Sequence, residues 1–247
     1  MKLLICISNV PDTTTKIRFT DNNSRLDESG IQWIINPWDE LALTRAMELK
    51  DAGAVNEVHV INVGPALTEA TLRKALAVGA DKAFRIDAAV QDGYQVAALL
   101  AAWLKEHPYD MVLTGIESSD FNSSGVGVMV AELAGLPCVP GISGMEIQGG
   151  DVSLRREIEG GQQQLSVKGP FLAIVQKGIA KEPRIPSMRG IMMARSKPLE
   201  VVQAPAGEAR LTYLSYTLPQ PKGACRMVDP EQAGELIRLL HEEAKVI

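Results

Sequence analysis

The chain is poor in aromatic residues and has no excess of basic charge, and each shortage excludes a class of protein. Aromatic residues make up 4% of its 247 residues, whereas hydrophobic residues make up 46%. An aliphatic composition is typical of parallel strands that helices bury on both faces. The 25 basic residues are outnumbered by 30 acidic ones, which gives a formal net charge of −5. We therefore expect no nucleic-acid partner, because such binding needs a basic excess or a clustered basic face.

Cysteine is also scarce, and long apolar runs are absent. Cys6, Cys138 and Cys225 are scattered and share no C-x-x-C spacing, so neither a disulfide framework nor a metal site is predicted, and a reducing cytoplasm is expected. No stretch approaches the roughly 18 apolar residues of a membrane span. The run MKLLICISNV lacks a small-residue cleavage site, so it is interpreted as a buried strand and not as a signal peptide. Membrane insertion is therefore not expected.

Apolar runs alternate with helix-length segments through roughly the first 135 residues. The strands are predicted at Lys2–Ile7, Glu57–Val63, Lys82–Ile86 and Asp110–Thr114. Helices of 10–15 residues are predicted between and after them. This alternation indicates right-handed βαβ crossovers and a parallel sheet. The predicted fold class is therefore α/β, with a Rossmann-like parallel sheet.

The start of the first helix has a clear local signature. Asn36 is expected to be its N-cap and Pro37 its first residue. Asp39 and Glu40 then lie in the first turn, where the helix dipole favours carboxylates. The helix is expected to stop at Gly53.

After Pro140 the pattern changes. Short alternating runs separated by glycine pairs predict antiparallel hairpin strands; these runs are Met145–Gln148, Val152–Ile158 and Gln163–Val167. The continuous apolar run Phe171–Val175 is expected to return to the main sheet.

The last quarter of the chain is predicted to be irregular. An exposed loop with a short helix is expected over about 176–198, followed by a Pro-rich segment with a weak strand signal at Leu211–Tyr216 and a final helix at Pro230–Ala244. We therefore expect an α/β domain over 1–198 and a C-terminal arm over 199–247.

The loop after the fourth predicted strand is the richest candidate for ligand binding. In open α/β sheets, ligands bind at the carboxyl ends of the strands. Hydroxyl groups and backbone N–H groups at a helix N-terminus form a cradle for a phosphate. The alternative is that serine and glycine here only cap the helix and form a turn. The loop consists of Gly115, Ile116, Glu117, Ser118, Ser119, Asp120, Phe121, Asn122, Ser123, Ser124, Gly125 and Val126.

Catalytic constellations are few. His59 has an alternating position in a strand, which favours a structural role, and His107 and His241 lie near helix ends. No H-E-x-x-H, G-x-S-x-G, G-x-G-x-x-G or P-loop pattern occurs. Because no nucleophile–base pair can be assigned, the chain is not predicted to be an enzyme on its own.

A basic, methionine-rich segment stands apart from the acidic average. Lys181, Arg184, Arg189 and Arg195 flank the stretch Met188–Met193. An exposed loop of this composition is typical of adaptable contact surfaces. The alternative is that these methionines are core residues of a short helix.

Several blocks of sequence together resemble the β subunit of electron transfer flavoproteins. The similarity covers nearly the whole chain, and its most specific part joins Arg155–Gly161 and Lys168–Pro170 to Glu182–Ile191. The other blocks are Leu4–Asp12 with Ile35–Glu40, Val63–Pro65 with Leu72–Lys82, and Gly115–Gly127.

The resemblance implies an adenine nucleotide alpha hydrolase-like fold and a role as an electron carrier. Members of the family pair with an α subunit, and the heterodimer holds one FAD, mostly in the α subunit. It carries electrons from flavin dehydrogenases, such as acyl-CoA dehydrogenases, to an acceptor, for which a membrane quinone oxidoreductase is one candidate. The β subunit typically also buries a structural AMP.

The resemblance also implies roles for particular residues. The loop around Met188, with Arg184 and Arg189, would dock dehydrogenases, and Glu157–Gly161 would lie near the α subunit and its flavin. The arm would contact the α subunit. The implied AMP contacts are Cys6, Asn36, Pro37, Trp38, Asp39, Val63 and the loop from Gly115 to Val126.

Departures from the family pattern leave alternatives open. Flavin-bifurcating members bind a second FAD in place of AMP, and their loop reads closer to G-R-Q-A-I-D-G-D-T than the segment from Gly115 to Phe121 does. The segment Val10–Thr13 is nevertheless also seen among them. Ile185–Met188 and Ser118–Asp120 resemble the branch associated with carnitine metabolism and nitrogen fixation, where nucleotide occupancy differs. Two further alternatives remain: a stand-alone adenine-nucleotide-binding protein, and a partner protein whose nucleotide site has decayed.

Overall fold

The computed structural model describes residues 1–205 and 207–247. Its strands are β1 (Lys2–Cys6), β2 (Asn9–Pro11), β3 (Phe19–Thr20), β4 (Arg25–Leu26), β5 (Trp33–Ile35), β6 (Glu57–Val63), β7 (Lys82–Asp87), β8 (Met111–Gly115), β9 (Cys138–Gln148), β10 (Asp151–Ile158), β11 (Gly161–Val167), β12 (Phe171–Val175) and β13 (Leu199–Gln203). Its α-helices are α1 (Pro37–Asp51), α2 (Glu69–Val78), α3 (Gly93–Glu106), α4 (Val126–Ala134), α5 (Met188–Ala194) and α6 (Ala233–Arg238). Short 3₁₀ turns at Ala66–Thr68 and Pro230–Gln232 precede α2 and α6, and a π-helical turn at Leu239–Glu243 follows α6.

Nine strands form one sheet in the order β11-β10-β9-β12-β8-β1-β6-β7-β13. The seven strands from β9 to β13 pair in parallel. The hairpin strands β10 and β11 extend the sheet antiparallel beyond β9. The predicted α/β class with a parallel sheet and an antiparallel hairpin region is confirmed.

The order of the strands creates a crevice beside β1. From β1 the chain continues to β6 and β7 on one side, whereas β8 and β12 lie on the other. Strand order therefore reverses between β1 and β8, and such a switch point opens a crevice at the carboxyl ends of the strands.

Helices bury both faces of the sheet. The alternation of side chains along β1 sends Leu3 and Ile5 into one apolar cluster and Leu4 and Cys6 into the other. The first cluster includes residues of α1 and α2, and the second includes residues of α3 and α4. A strand buried on both faces reads as a continuous aliphatic run, which is what the composition indicated.

Three features differ from the sequence-based expectation. β9 begins at Cys138 and runs through Pro140, because a register irregularity beside β12 accommodates the proline. Residues 199–203, which were expected to open the arm, form β13 and pair with β7 at the sheet edge. The weak strand signal at Leu211–Tyr216 corresponds to no strand.

Other expectations about the C-terminal third are confirmed. β12 returns to the main sheet between β9 and β8. A short helix, α5, lies within the exposed 176–198 segment, and a helical segment closes the chain.

Within the described residues, no helix is both long enough and apolar enough to cross a membrane.

Candidate functional site

A cavity of about 290 Å³ opens at the carboxyl ends of β1, β6 and β8. It lies at the switch point of the sheet, where the residues that follow each of these strands meet. Cys6 and Ser8 come from the end of β1, Val63 from β6 and Gly115 from β8. This is the position in which α/β sheets bind small ligands.

Asp39 connects the strand ends that flank this crevice. Its Oδ2 accepts a hydrogen bond from the amide of Ser8 at 2.8 Å, and its Oδ1 accepts one from the amide of Gly115 at 2.8 Å. Sequence analysis assigned this carboxylate to the helix dipole. In the structure it also fixes the spacing between the ends of β1 and β8.

The buried position of Asp39 alters its acidity. Burial raises the pKa of this carboxyl group to about 7, although the hydrogen bonds from Ser8 and Gly115 act in the opposite direction. Burial likewise raises the pKa of the neighbouring Cys6 thiol, and the Asp39 charge adds to this effect. Cys6 is therefore held as a neutral thiol, which is a poor nucleophile.

Asn36 supports the candidate loop instead of capping the helix. It occupies the N-cap position of α1, but its side chain makes no capping hydrogen bond. Its Nδ2 instead donates to the carbonyl oxygen of Glu117 at 2.8 Å. Asn36 is almost fully buried, so this bond holds the start of the loop in place.

The loop from Gly115 to Gly125 is organised by its own polar side chains. The hydroxyl of Ser118 donates to Asp120, which also accepts from the amide of Phe121 at 2.7 Å. Ser124 donates to a carboxylate oxygen of Glu117 at 3.2 Å. Asn122 and Ser124 both have positive φ, which non-glycine residues rarely adopt. These two positions let the loop turn tightly between β8 and α4.

The loop leads directly into α4, whose N-terminus is left open. Gly125 is the N-cap, and no side chain accepts a hydrogen bond from the first amides of the helix. These amides and the positive end of the dipole are therefore available to an anion.

The electrostatics of the cavity limit the charge that it accepts. None of the described residues that line it is Lys or Arg, whereas Glu28, Glu117 and Asp120 all contribute carboxyl groups. An anion here would depend on hydroxyl and amide donors.

Two polar side chains in the cavity wall have unpaired oxygen atoms. Asn62 donates from Nδ2 to the carbonyl oxygen of Ile7 at 2.8 Å, but its Oδ1 has no partner. The hydroxyl of Thr114 also has none. Buried polar atoms without partners are costly, so these two point to a polar group that belongs in or beside the cavity.

The structure brings together most of the sequence-predicted site residues. Thirteen of the eighteen line the cavity: Cys6, Asp39, Val63, Gly115, Ile116, Glu117, Ser118, Asp120, Phe121, Ser123, Ser124, Gly125 and Val126. The remaining five lie outside its lining: Asn36, Pro37, Trp38, Ser119 and Asn122.

Sequence reasoning missed other lining residues. Glu28 and Trp33 come from the segment between β2 and α1, and Thr114 comes from β8. Thr114 is the one that a local signal could have found, because it is a polar residue at the end of an otherwise apolar strand.

The predicted partner-recognition segment contains an exposed helix, α5, that packs against α2. Met188 is the first residue of α5 and is 75% exposed. Ser187 caps the helix by accepting from the amide of Gly190 at 3.1 Å. Gly190 lies so close to α2 that a Cβ there would overlap the carbonyl oxygen of Ala77. The methionines at 188, 192 and 193 are therefore a surface feature and not a helix core.

The two arginines assigned to this segment have different surroundings. Arg184 pairs with Asp51 of α1 at 2.6 Å, and its amide donates to the hydroxyl of Thr44 at 2.9 Å. Arg184 therefore anchors the segment to α1. Arg189 is exposed beside Met188.

His59 has a structural environment, as its strand position predicted. Its ring is buried, and Nδ1 lies 3.0 Å from the hydroxyl of Tyr109. Burial makes the largest contribution to lowering the pKa of this imidazole, and the positive charge of Lys2 lowers it further. His59 lies on β6 opposite Lys82 at the start of β7, which is the end of the sheet away from the cavity.

Comparison with known proteins identifies the family. The sequence model described as "Electron transfer flavoprotein domain" matches residues 24–207, which is most of the chain. The chain therefore belongs to the electron transfer flavoprotein family.

Within this family the chain is similar to β subunits over its whole length. It is 34% identical to the electron transfer flavoprotein subunit beta of Bacillus subtilis, with 100% of each chain covered. The corresponding protein of Bradyrhizobium diazoefficiens is 32% identical, again with 100% of each covered. The pig (Sus scrofa) protein of the same name is 30% identical over 83% of this chain and 82% of its own.

Proposed function

We propose that this chain is the β subunit of a heterodimeric electron transfer flavoprotein. Its α-type partner would hold most of one FAD, which supplies the electron-carrying chemistry when bound. The assembly would carry electrons from flavin dehydrogenases to an acceptor, and this chain would contribute no catalytic residues of its own. Family membership supports the electron-transfer role, and the location of the cavity supports a bound nucleotide in this chain.

The observation that carries the nucleotide assignment is the cavity at the switch point. Its volume of about 290 Å³ lies near the lower limit of roughly 300–1,000 Å³ for small-molecule sites. A mononucleotide suits that volume better than a dinucleotide. We therefore propose AMP as the occupant.

The lining of the cavity suits the two ends of such a molecule. Val63, Val96 and Leu100 form an apolar wall that would pack against a base. The loop from Gly115 to Gly125 and the open N-terminus of α4 would hold the phosphate.

The lack of basic side chains among the described lining residues argues against a second FAD in this position. A pyrophosphate would face Glu28, Glu117 and Asp120 without a basic side chain among the described lining residues to offset them. Fixed neutral donors hold a single phosphate with less repulsion.

The exposed face of α5 is proposed as the docking site for dehydrogenases. Met188 would be its apolar anchor, with Arg189 as the neighbouring charge, because exposed methionine adapts to partner surfaces of different shape. Contacts of the segment with α1, through Arg184, and with α2, through Gly190, would hold this anchor at a fixed position.

Co-expression with an α-type subunit tests the proposed assembly. We expect a yellow heterodimer that accepts electrons from a flavin acyl-CoA dehydrogenase and retains one FAD. A chain that remains a colourless monomer in the presence of the α-type subunit would contradict the proposal.

A further inference from the structure

One wall of the nucleotide cavity comes from an excursion of the chain. Residues 12–32 leave the body after β2 and return at β5, and the short pair β3 and β4 folds them onto themselves. Glu28 and the adjoining Trp33 line the cavity. The excursion therefore contributes Glu28 to the cavity wall.

The arm is fastened to the body at Asp92, close to the same cavity. Asp92 is 0% exposed, and its Oδ1 caps α3 by accepting from the amide of Gln95 at 2.8 Å. Its Oδ2 accepts from the amides of Arg210 and Leu211 at 2.6 and 2.7 Å. Burial alone would raise the pKa of Asp92, but the three backbone hydrogen bonds outweigh it and the pKa is lowered. A charged carboxylate thus ties the arm to the start of α3.

Further contacts strengthen this attachment. Gln95 donates from Nε2 to the carbonyl oxygen of Gly207 at 2.9 Å. The guanidinium of Arg210 lies 5.2 Å from the centre of the Tyr94 ring, within the range of a cation–π interaction. The arm is therefore held at several points along 207–211.

A few residues further on, the arm contacts the 12–32 excursion through Tyr216. The ring of Tyr216 stacks on that of Phe19, with the ring centres 5.1 Å apart. It also stacks on the ring of Tyr213, with the ring centres 5.9 Å apart. The amide of Tyr216 donates to the carbonyl oxygen of Asn23 at 2.7 Å. Asn23 lies in a turn where Asp21, Asn22 and Asn23 all have positive φ.

We infer that residues 207–216 are a strap that holds the 12–32 excursion over the nucleotide cavity, with Asp92 and Tyr216 as its positioning residues. The strap bridges the start of α3, which borders the cavity through Val96 and Leu100, and the excursion that carries Glu28. Escape of the nucleotide then requires release of one end of the strap. The identity of the nucleotide as AMP rests on the proposed function, whereas the strap rests on the contacts above.

The dissociation rate of radiolabelled AMP from the full chain, purified with its co-expressed partner, tests the strap. Tyr216→Ala is expected to raise the rate by about two- to tenfold, as loss of an aromatic stack implies. Tyr216→Phe keeps the ring and is expected to restore slow release. Met227→Ala is the matched control, since Met227 is an arm residue outside the strap that is 86% exposed and should leave the rate unchanged.

Asp92→Asn tests the other end of the strap. Its oxygen can still cap α3, but its amide nitrogen cannot accept from Arg210 and Leu211. Faster AMP release is expected at a temperature at which the variant is fully folded; the unfolding midpoint should also fall, because the amides of Arg210 and Leu211 lose their buried acceptor. Wild-type release rates in both Asp92→Asn and Tyr216→Ala would overturn the inference.

Hydrogen–deuterium exchange separates the strap from the choice of nucleotide. Asp92→Asn and Tyr216→Ala should both increase exchange in residues 12–32, and Met227→Ala should not. If the wild-type protein binds no AMP, the proposed nucleotide fails, and exchange in 12–32 decides the strap by itself. Exchange that is equal in all variants would overturn it.

Discussion

The carboxylate of Asp39 accepts a hydrogen bond from the amide of Gly115 at 2.8 Å, across 76 residues of sequence. This bond joins the first turn of α1 to the end of β8. The glycine is required there because a Cβ would lie 2.5 Å from Oδ1 of Asp39 and 2.6 Å from Cβ of Trp38. The shape of the switch-point cavity therefore depends on the close approach of a helix start to a strand end.

Replacement of Asp39 by alanine should destabilise the protein. The amides of Ser8 and Gly115 would lose their buried acceptor, and each such loss costs about 1–3 kcal/mol. We expect a decrease of about 2–6 kcal/mol in the free energy of unfolding at pH 5, measured by urea denaturation. Glu40→Ala is the control, because Glu40 is in the same helical turn, and its effect should stay below about 1 kcal/mol. Equal effects of the two substitutions would contradict this role.

The raised pKa of Asp39 predicts a specific pH dependence of stability. An unfolded aspartate titrates near pH 3.9, whereas the folded group has a pKa of about 7. Between these values the folded state binds more protons than the unfolded state, so stability falls as pH rises. The stabilisation from the neutral group is complete below about pH 4 and lost through pH 7.

Comparison with Asp39→Asn isolates this contribution. The variant cannot titrate at this position, so the wild-type protein should lose stability relative to it between about pH 4 and pH 7, on the order of 2–4 kcal/mol. Urea unfolding at a series of pH values measures the difference. Parallel profiles of the two proteins would show that Asp39 is already ionised at low pH.

Two glycines near the start of α4 should respond differently to alanine. A Cβ on Gly127 would lie 2.6 Å from the Thr114 hydroxyl and 3.0 Å from Ile174, so α4 would have to shift away from the sheet. Gly127→Ala should therefore cost about 1–3 kcal/mol of stability. A Cβ on Gly125 would meet neighbours only at 3.6 Å or more, and its φ of −104° is ordinary.

Gly125→Ala should consequently fold normally and retain less AMP, since the new methyl group would crowd a phosphate at the helix N-terminus. Thermal unfolding and nucleotide content of the purified protein measure the two effects separately. Unchanged nucleotide content in Gly125→Ala would remove this residue from the site.

Met188→Ala should slow electron transfer from a dehydrogenase and leave assembly intact. The side chain is 75% exposed at the start of α5, so its loss removes a docking contact without opening a cavity in the core. Stopped-flow reduction of the flavin measures the rate. Met227→Ala, at an arm methionine that is 86% exposed, should leave the rate unchanged. Loss of heterodimer in Met188→Ala would instead assign a structural role to the segment.

Much of the fold could be predicted from local pattern. β12 and α3 follow from a continuous apolar run and from helical periodicity, both of which depend on neighbouring residues only. β9 and β13 were harder to predict. Pro140 suggests a break that tertiary pairing with β12 overrides, and β13 is a short edge strand whose pairing with β7 spans more than 100 residues.

The candidate site divides in the same way. The loop from Gly115 to Gly125 could be found because hydroxyl groups and glycines lead into a helix. The role of Asn36 could not, since its local signature is that of an N-cap, whereas its side chain contacts Glu117 across 81 residues. Glu28 likewise reaches the cavity only through the path of the excursion.

Identification of the nucleotides released by acid from the purified heterodimer tests the central claim most directly. The account predicts one equivalent of AMP from the switch-point cavity and one equivalent of FAD for the assembly. Two equivalents of FAD without AMP would contradict it, and release of FAD alone, in one equivalent, would contradict the assignment of the cavity.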